Sequence, residues 1–465
     1  TDTTFVDGDV CNLSSLITTI GAGAVGLFDG DLNADTTTAL GAGTLSVTGD
    51  VVGDVDLLAA GTFLLAADKT ITGDVDNTSG TAGTGTLTFG TMTGDLTLIT
   101  GDIGDTDSLA QVTVDNGGSI ATLDGDAAAT AFTATGGGST ILNGAGTFTT
   151  LTTDGDFTSG TGVLDVVGTI ALTGGDLIVG SGGAALGGAS VTADNITLDS
   201  GKDVTFDGTV AQTVTGLVDG IGNVTISNAA GVTFANNVGA TIDIDLLTIG
   251  TGKSATFNGT LDADAITLSG TGSTLQIEDT VTLTAGAGTG TGTITTAAGS
   301  KIIIGAGIVA TETAFVVADV VSAGTTTIEV SSSFTTGTIV LFDSTADASG
   351  DLANLTITDT GLVDYTLAAN GNDIEITAAA RTDAAAAAAL GVSTQDAVAA
   401  KNAALAIATG TDTLLANFDA ALKAGGDDAA KAAETAAVQA DTLGAGTNVA
   451  ISTGGTVIGI SSDRL

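Results

Sequence analysis

One short pattern recurs along the chain and suits a single kind of local structure. Asn195-Ile196-Thr197-Leu198 is followed, nine residues after Asn195, by Val204-Thr205-Phe206. Asn223-Val224-Thr225-Ile226 leads at the same offset to Val232-Thr233-Phe234, and Leu246-Leu247-Thr248-Ile249 to Ala255-Thr256-Phe257. A looser copy runs Ile266-Thr267-Leu268 and then Leu275-Gln276-Ile277. Apolar residues alternate with Thr, which is the period of a strand with one face buried. Strands this short form no stable structure alone, so each must stack on the equivalent strand of the next unit. The unit starts at 195, 223 and 246 lie in the range of solenoid coils.

Similar segments recur between residues 41 and 378, among them Thr169-Ile170-Ala171-Leu172, Lys301-Ile302-Ile303-Ile304 and Thr327-Ile328-Glu329-Val330. At roughly 20–25 residues per coil this predicts about 14 to 17 coils. The chain has 70 Gly and no Pro. Pro would remove a ladder hydrogen bond from any strand flanked on both sides, whereas Gly serves the corners. The expected fold is mainly β, a right-handed parallel β-solenoid (β-helix). The alternative is an array of β-sandwich modules, for which clean Asn-Gly hairpin turns are too few.

Expected divisions are an N-terminal cap or assembly segment over 1–40, the solenoid over 41–378, an Ala-rich helical region over 379–444 and a strand segment over 445–465. In the first, Leu13, Leu16, Ile17 and Ile20 stand at helical spacing. No apolar run is long enough to span a bilayer as a transmembrane helix. The start, Thr-Asp-Thr-Thr-Phe, does not read as a signal peptide, which leaves a cytoplasmic chain or a matured secreted one. Cys11 is the lone thiol, so its readings are a small buried hydrophobe or an intermolecular bridge.

Charge narrows the function. Asp and Glu number 53 against 9 Lys and Arg, a formal net charge of −44. Such a surface repels phosphate, so nucleic acid and anionic membranes are not expected partners. There is no His and no Trp, and one Tyr. That removes imidazole catalysis, the commonest zinc sites and most aromatic sugar platforms. Within residues 1–380 the only cations are Lys69, Lys202, Lys253 and Lys301, too few to clamp an acidic polysaccharide. No catalytic residues are expected, and the chain reads as a non-enzyme.

The acidic residues are patterned. Thr48-Gly49-Asp50, Thr72-Gly73-Asp74 and Thr93-Gly94-Asp95 recur at 24- and 21-residue steps, which would place Asp50, Asp74 and Asp95 in one column. Asp-Gly-Asp occurs at Asp7-Gly8-Asp9, Asp29-Gly30-Asp31, Asp124-Gly125-Asp126 and Asp154-Gly155-Asp156. Stacked carboxylates repel unless water and salt screen them or a divalent cation neutralises them. Asp50, Asp74, Asp95, Asp29, Asp31, Asp124, Asp126, Asp154 and Asp156 are therefore candidate calcium ligands. The competing reading is turn-forming Asp and Gly on a solvated rod. Neither the Asp-x-Asp-x-Asp-Gly loop nor the Gly-Gly-x-Gly-x-Asp nonapeptide is present.

After Thr377 the pattern changes. Ala378 to Leu390 is nearly pure Ala, and Ser393 precedes Asp396 as in a capping box. A second helix is expected from Thr411 or Asp412, with Leu414, Leu415, Phe418 and Leu422 as its core stripe, ending at Gly425-Gly426. A third runs from Asp427 to near Leu443. Asn448 to Ile451 and Thr456 to Ile460 return to strand pattern.

Three features together resemble the secreted passenger of an autotransporter. They are the repeated Val-Thr-Phe coils, the Tyr365 to Ile376 hairpin and the Ala-rich linker leading to a strand and Ser461-Ser462-Asp463-Arg464-Leu465. The order is most similar to the rickettsial outer membrane protein B (surface cell antigen) family. That resemblance implies a chain outside the outer membrane of a Gram-negative bacterium, next to an outer-membrane β-barrel translocator. It implies a surface structural protein that self-associates into an S-layer-like coat or extracellular filament. The alternative it leaves is an adhesin that binds a host or surface ligand.

Overall fold

Three short strands make one turn, because the alternation of apolar and outward residues lasts only three or four positions before Gly, Asp or Asn breaks it. Leu164–Val166, Ile170–Leu172 and Leu177–Val179 form one turn. Ala184–Leu186, Ser190–Thr192 and Asn195–Leu198 form the next. Each strand pairs in parallel with its counterpart one turn on: Leu164 with Ala184, Ile170 with Val191 and Leu177 with Ile196. These three columns of strands are the first, second and third faces of the coil.

The computed structural model describes residues 3–283, 292–305, 307–331, 336–408, 450–453 and 456–459. It is 52% strand and 6% helix, with about 14 turns of β-solenoid and a short C-terminal helical segment. The turn number meets the lower end of the range expected from repeat length. The chain divides into two compact units, Thr1–Thr267 and Leu268–Leu465.

In the first unit the register is regular enough to read by number: Leu164, Ala184, Val204 and Val224 succeed one another on four turns of the first face. Inward residues are fully enclosed, Leu164, Val204, Phe206, Val224 and Ile226 among them. Each such side chain contributes about 1.5–3 kcal/mol on burial, which offsets the entropy cost of ordering the chain. Phe residues thicken the core where turns allow. Phe234 and Phe257, in register on consecutive turns of the second face, stack at 4.7 Å with ring planes 4° apart. Phe206 meets Phe234 edge-on at 5.2 Å.

Two sequence expectations change here. Asn195 pairs with Leu217 on the third face, whereas Asn223 lies between Asp203 and Leu246 on the first. The step from 195 to 223 therefore joined strands of different faces, and only the step from 223 to 246 is a turn. All three faces use the same alternation, so the motif does not announce its face. The helical spacing of Leu13, Leu16, Ile17 and Ile20 is also not realised. Leu16–Thr19 is a strand paired in register with Thr37 to Leu40, and Ile17 points outward, 65% exposed. Cys11 lies in the strand Val10–Leu13.

The second unit has its own parallel columns. Thr274–Ile277, Lys301–Ile304, Thr326–Val330 and Leu355–Ile357 stack in one. Val281–Leu283, Thr313–Val317 and Gly337–Ser344 stack in another. The pairing then reverses. Val363–Asn370 and Asp373–Ala380 form an antiparallel hairpin, and its second strand also pairs antiparallel with Gly337–Ser344. This is the hairpin expected around Tyr365, closing on Gly371 at φ +66°.

Two helices follow, Asp383–Leu390 and Thr394–Ala408. Thr382 caps the first by accepting the Ala385 N–H; at the second, Ser393 accepts the Asp396 N–H and donates its hydroxyl to the Asp396 carboxylate. Leu390 rests where Gly361 has no side chain; a Cβ there would come within 2.5 Å of Leu390 Cδ2. Arg381 ties the corner by a hydrogen bond to Asp359 at 3.1 Å and an ion pair with Asp364 at 2.9 Å. Lys401 donates to the Arg381 carbonyl and to Asp383. The expected helices between 411 and 444 lie outside the described residues. Ala450–Thr453 and Thr456–Gly459 are strands, paired antiparallel.

Candidate functional site

The corners of the first unit place carboxylates one turn apart. Their geometry follows from strand register, because the residue just before an inward apolar position has the same neighbour on every turn. Along one corner Asp9 accepts the backbone N–H of Asp31 at 3.0 Å, and Asp31 accepts that of Asp50 at 2.9 Å. Asp50 accepts both the N–H and the hydroxyl of Thr70, at 2.9 and 3.1 Å. A second run links Asp54 to Asp74 at 3.1 Å, Asp74 to Asp102 at 2.8 Å and Asp102 to Asp126 at 2.8 Å. It ends where Asp126 accepts the Ala145 N–H at 2.7 Å. A third links Asp156 to Asp176 at 2.9 Å and Asp176 to Asn195 at 3.0 Å.

In each run the carboxylate of one turn holds the backbone of the next. A corner peptide has left the strand ladder and would otherwise lack a partner, and a charged acceptor gives it a stronger one than a neutral group. Two glycines beside these aspartates have a matching reason. A Cβ on Gly49, in Thr48-Gly49-Asp50, would lie 2.3 Å from the Gly30 carbonyl carbon, and one on Gly125, in Asp124-Gly125-Asp126, would lie 2.2 Å from the Gly101 oxygen. Successive corners are stacked backbone on backbone, with room for a hydrogen and nothing more.

The nine candidate ligands are thus distributed over several corners. Asp50, Asp74 and Asp95 do not share a column. Asp50 serves Thr70, Asp74 lies between Asp54 and Asp102, and Asp95 accepts the Ile120 N–H at 2.8 Å. Turns differ in length, so steps of similar size in sequence do not return to one corner. Asp29 accepts the Thr48 hydroxyl at 2.7 Å, and Asp124 accepts the Asn143 amide at 2.7 Å. Asp154 accepts the N–H groups of Gly136 and Gly137 at 3.0 and 2.9 Å. Asp31, Asp126 and Asp156 are members of the runs above. Among the described residues, no three carboxylates or thiols converge closely enough to hold a metal ion.

Sequence reading missed Asp54, Asp102 and Asp176, which are as much part of the runs as the Asp-Gly-Asp residues. The available signal was an Asp immediately before the first inward residue, as in Asp54-Val55, Asp74-Val75 and Asp102-Ile103. It also missed Asp68, whose carboxylate accepts the N–H and hydroxyl of Thr93 at 2.6 and 2.7 Å. Those bonds hold its pKa below the ordinary carboxylate value. Three other carboxylates are pushed the opposite way. Burial, then Asp76 and Asp54, raises Asp56; burial and Asp207 raise Asp165; burial, then Asp245 and Asp243, raises Asp264.

A hollow in the N-terminal turns is lined by Val6 and by Thr18 to Phe28. Its walls carry no acid, base or thiol. No helix among the described residues is long and apolar enough to cross a membrane, which leaves β-barrel strands unaddressed.

No family model matches the chain, and no solved structure matches it. Among curated proteins it is similar to Outer membrane protein A of Rickettsia rickettsii, with 30% identity over 293 residues. The match covers 59% of this chain and 12% of that protein, so the chain corresponds to a small part of its relative's length. The relative is protein A, where the resemblance read from the sequence named protein B. A β-solenoid chain similar to a rickettsial outer membrane protein is what an autotransporter-passenger-like surface protein should be, and the resemblance stands on both the fold and the relative.

Proposed function

We propose that the chain is a structural protein of the bacterial surface, displayed outside the outer membrane, whose coils assemble with other copies into a coat or filament. The observation that carries this reading is the continuity of the corner runs. From Asp54 to Ala145, each turn's backbone is held by a carboxylate of the turn before. Such a chain presents the same side chains at about 4.8 Å intervals, a surface suited to repetitive contact rather than to one small ligand. The likeness to an outer membrane protein supports the location. Delivery through a β-barrel translocator fits the same reading.

A cation at Asp31, Asp126 or Asp156 has to share carboxylates already engaged by backbone N–H groups. A cation bound inside the coil would make chelation lower the chain's own melting temperature. A cation bridging copies would make chelation dissolve assemblies and leave that temperature unchanged.

The test is negative-stain imaging and sedimentation of the purified chain, with calcium and with a chelator. Regular polymers formed without any added ligand support the reading. Persistent monomers that bind host cells would replace it with an adhesin.

A further inference from the structure

We infer that the outward surface of the second face, in the unit Thr1–Thr267, is the surface through which one copy of this chain packs against a second copy. The inference rests on the self-assembly reading above and names its contact.

On that face the outward strand positions form two columns, two residues apart. Thr88, Thr113, Thr133 and Thr152 are successive rungs of one. Thr213, Thr233 and Thr256 are successive rungs of the other. Through the strands from Thr44–Val47 to Ser254–Phe257, neither column contains an Asp, Glu, Lys or Arg. In a chain of net charge −44 this is a marked local exception. The first face carries Asp56 and Asp76 on adjacent rungs, and Asp165 further on. The corner that the second face shares with the third carries the Asp31 and Asp156 runs, which bound the strip on that side without entering its two columns.

Charge selects the occupant. Two acidic copies repel wherever carboxylates meet, and the second face is where they can approach without burying an unpaired charge. A hydroxyl both donates and accepts, so a Thr array can complement itself, which an array of carboxylates cannot do. At about 4.8 Å per rung the columns run for about 48 Å, and a strip about 14 Å wide then covers about 670 Å² per partner. Twice that exceeds the roughly 1,000 Å² that a specific interface needs. Asp115 and Asp154 stand at one edge of the strip. Their mutual repulsion across the contact is screened by salt, so association through this face strengthens as ionic strength rises.

The test uses the full chain. Thr113→Asp, Thr133→Asp and Thr152→Asp are combined in one variant, and Thr205→Asp with Thr225→Asp, adjacent rungs of the first face, form the control. Sedimentation across a salt series should show wild type and control associating increasingly with salt. The triple variant should lose at least tenfold in association, with an unchanged β circular dichroism spectrum. A triple variant that assembles like wild type overturns the proposal. A wild type that stays monomeric at every salt concentration overturns the self-assembly reading itself, and the proposal with it. Labelling gives an arm that does not need the triple variant to fold. In a Cys11→Ser background, maleimide should react with Thr133→Cys at least tenfold more slowly in assemblies than in monomer, and with Thr205→Cys at an unchanged rate. Equal slowing at both positions counts against the second face.

Discussion

Asp126 donates its backbone N–H to the Asp102 carboxylate at 2.8 Å across 24 residues of sequence. Asp102 in turn donates its own N–H to Asp74 at the same distance. Each of these residues is therefore held by the turn before it and holds the turn after it. The acidity of the chain at these corners is a consequence of backbone geometry.

If the carboxylates act as acceptors of backbone N–H, then Asn should replace Asp far better than Ala does. Asp102→Ala should lower stability by about 1 kcal/mol, because one exposed, charge-assisted hydrogen bond is lost. Asp102→Asn keeps an oxygen at the same place and should lose less than half of that. Urea denaturation in the presence of a chelator reads both. Equal losses in the two variants would show that the charge, and not the acceptor, is what matters at this corner.

Close stacking of the corners predicts a sharp contrast between two glycines. Gly125→Ala drives a Cβ to 2.2 Å from the Gly101 oxygen, a clash with backbone that no rotamer relieves. It should cost about 3 kcal/mol or more, the range of changes that force a packed backbone to move. Gly94→Ala meets nothing within 4 Å and should be close to neutral. Thermal melts of the two variants side by side check this. Similar melting temperatures would mean that the corners have slack.

Phe234 lies between Phe206 and Phe257, edge-on to one and stacked on the other. Phe234→Ala leaves a cavity facing two turns and should cost about 3–5 kcal/mol. In a stack of turns that each lean on their neighbours, the loss should be local first. Limited proteolysis is expected to open cuts near residues 205–260 before the rest of the unit. Cleavage spread evenly along the chain would argue against such nearest-neighbour stability.

Much of this architecture is legible from residues alone, and the illegible part has a common cause. Val232, Phe234, Ala255 and Phe257 declare themselves inward by alternating with Thr, and Gly371-Asn372 declares a turn between two alternating segments. What alternation does not carry is which face a strand belongs to. That depends on the lengths of the corners, which vary from turn to turn, so Asn195 resembles Asn223 in sequence although its neighbour is Leu217. The same variation hid the run Asp54, Asp74, Asp102 and Asp126, whose steps are unequal. It also made Asp50, Asp74 and Asp95 look like a column. Leu16 and Ile20 fit a helical period and a strand period about equally well. The neighbouring turn decides between them, by offering Thr37 to Leu40 as a partner.

The three carboxylates with raised pKa values predict how stability depends on pH. Asp56, Asp165 and Asp264 lie where burial and neighbouring carboxylates disfavour the charged form and raise their pKa values. Their folded pKa values exceed the unfolded value of about 3.9, so the folded state binds protons more readily. Stability from these groups is fully present below the unfolded value and is lost as pH rises through the raised folded values. Acidification from neutrality toward about pH 4 should therefore raise the melting temperature. Asp68 runs the other way, but its lowered value moves its effect below that window: what it contributes is present above the ordinary value and lost as pH falls through the lowered one. The triple variant Asp56→Asn, Asp165→Asn, Asp264→Asn should melt higher than wild type at pH 7. It should also show a flatter rise on acidification. Melting curves at half-unit steps between pH 4 and pH 7 decide the matter. A wild-type melting temperature that falls steadily as the pH is lowered from 7 to 4 would mean that these carboxylates are better solvated than their surroundings imply.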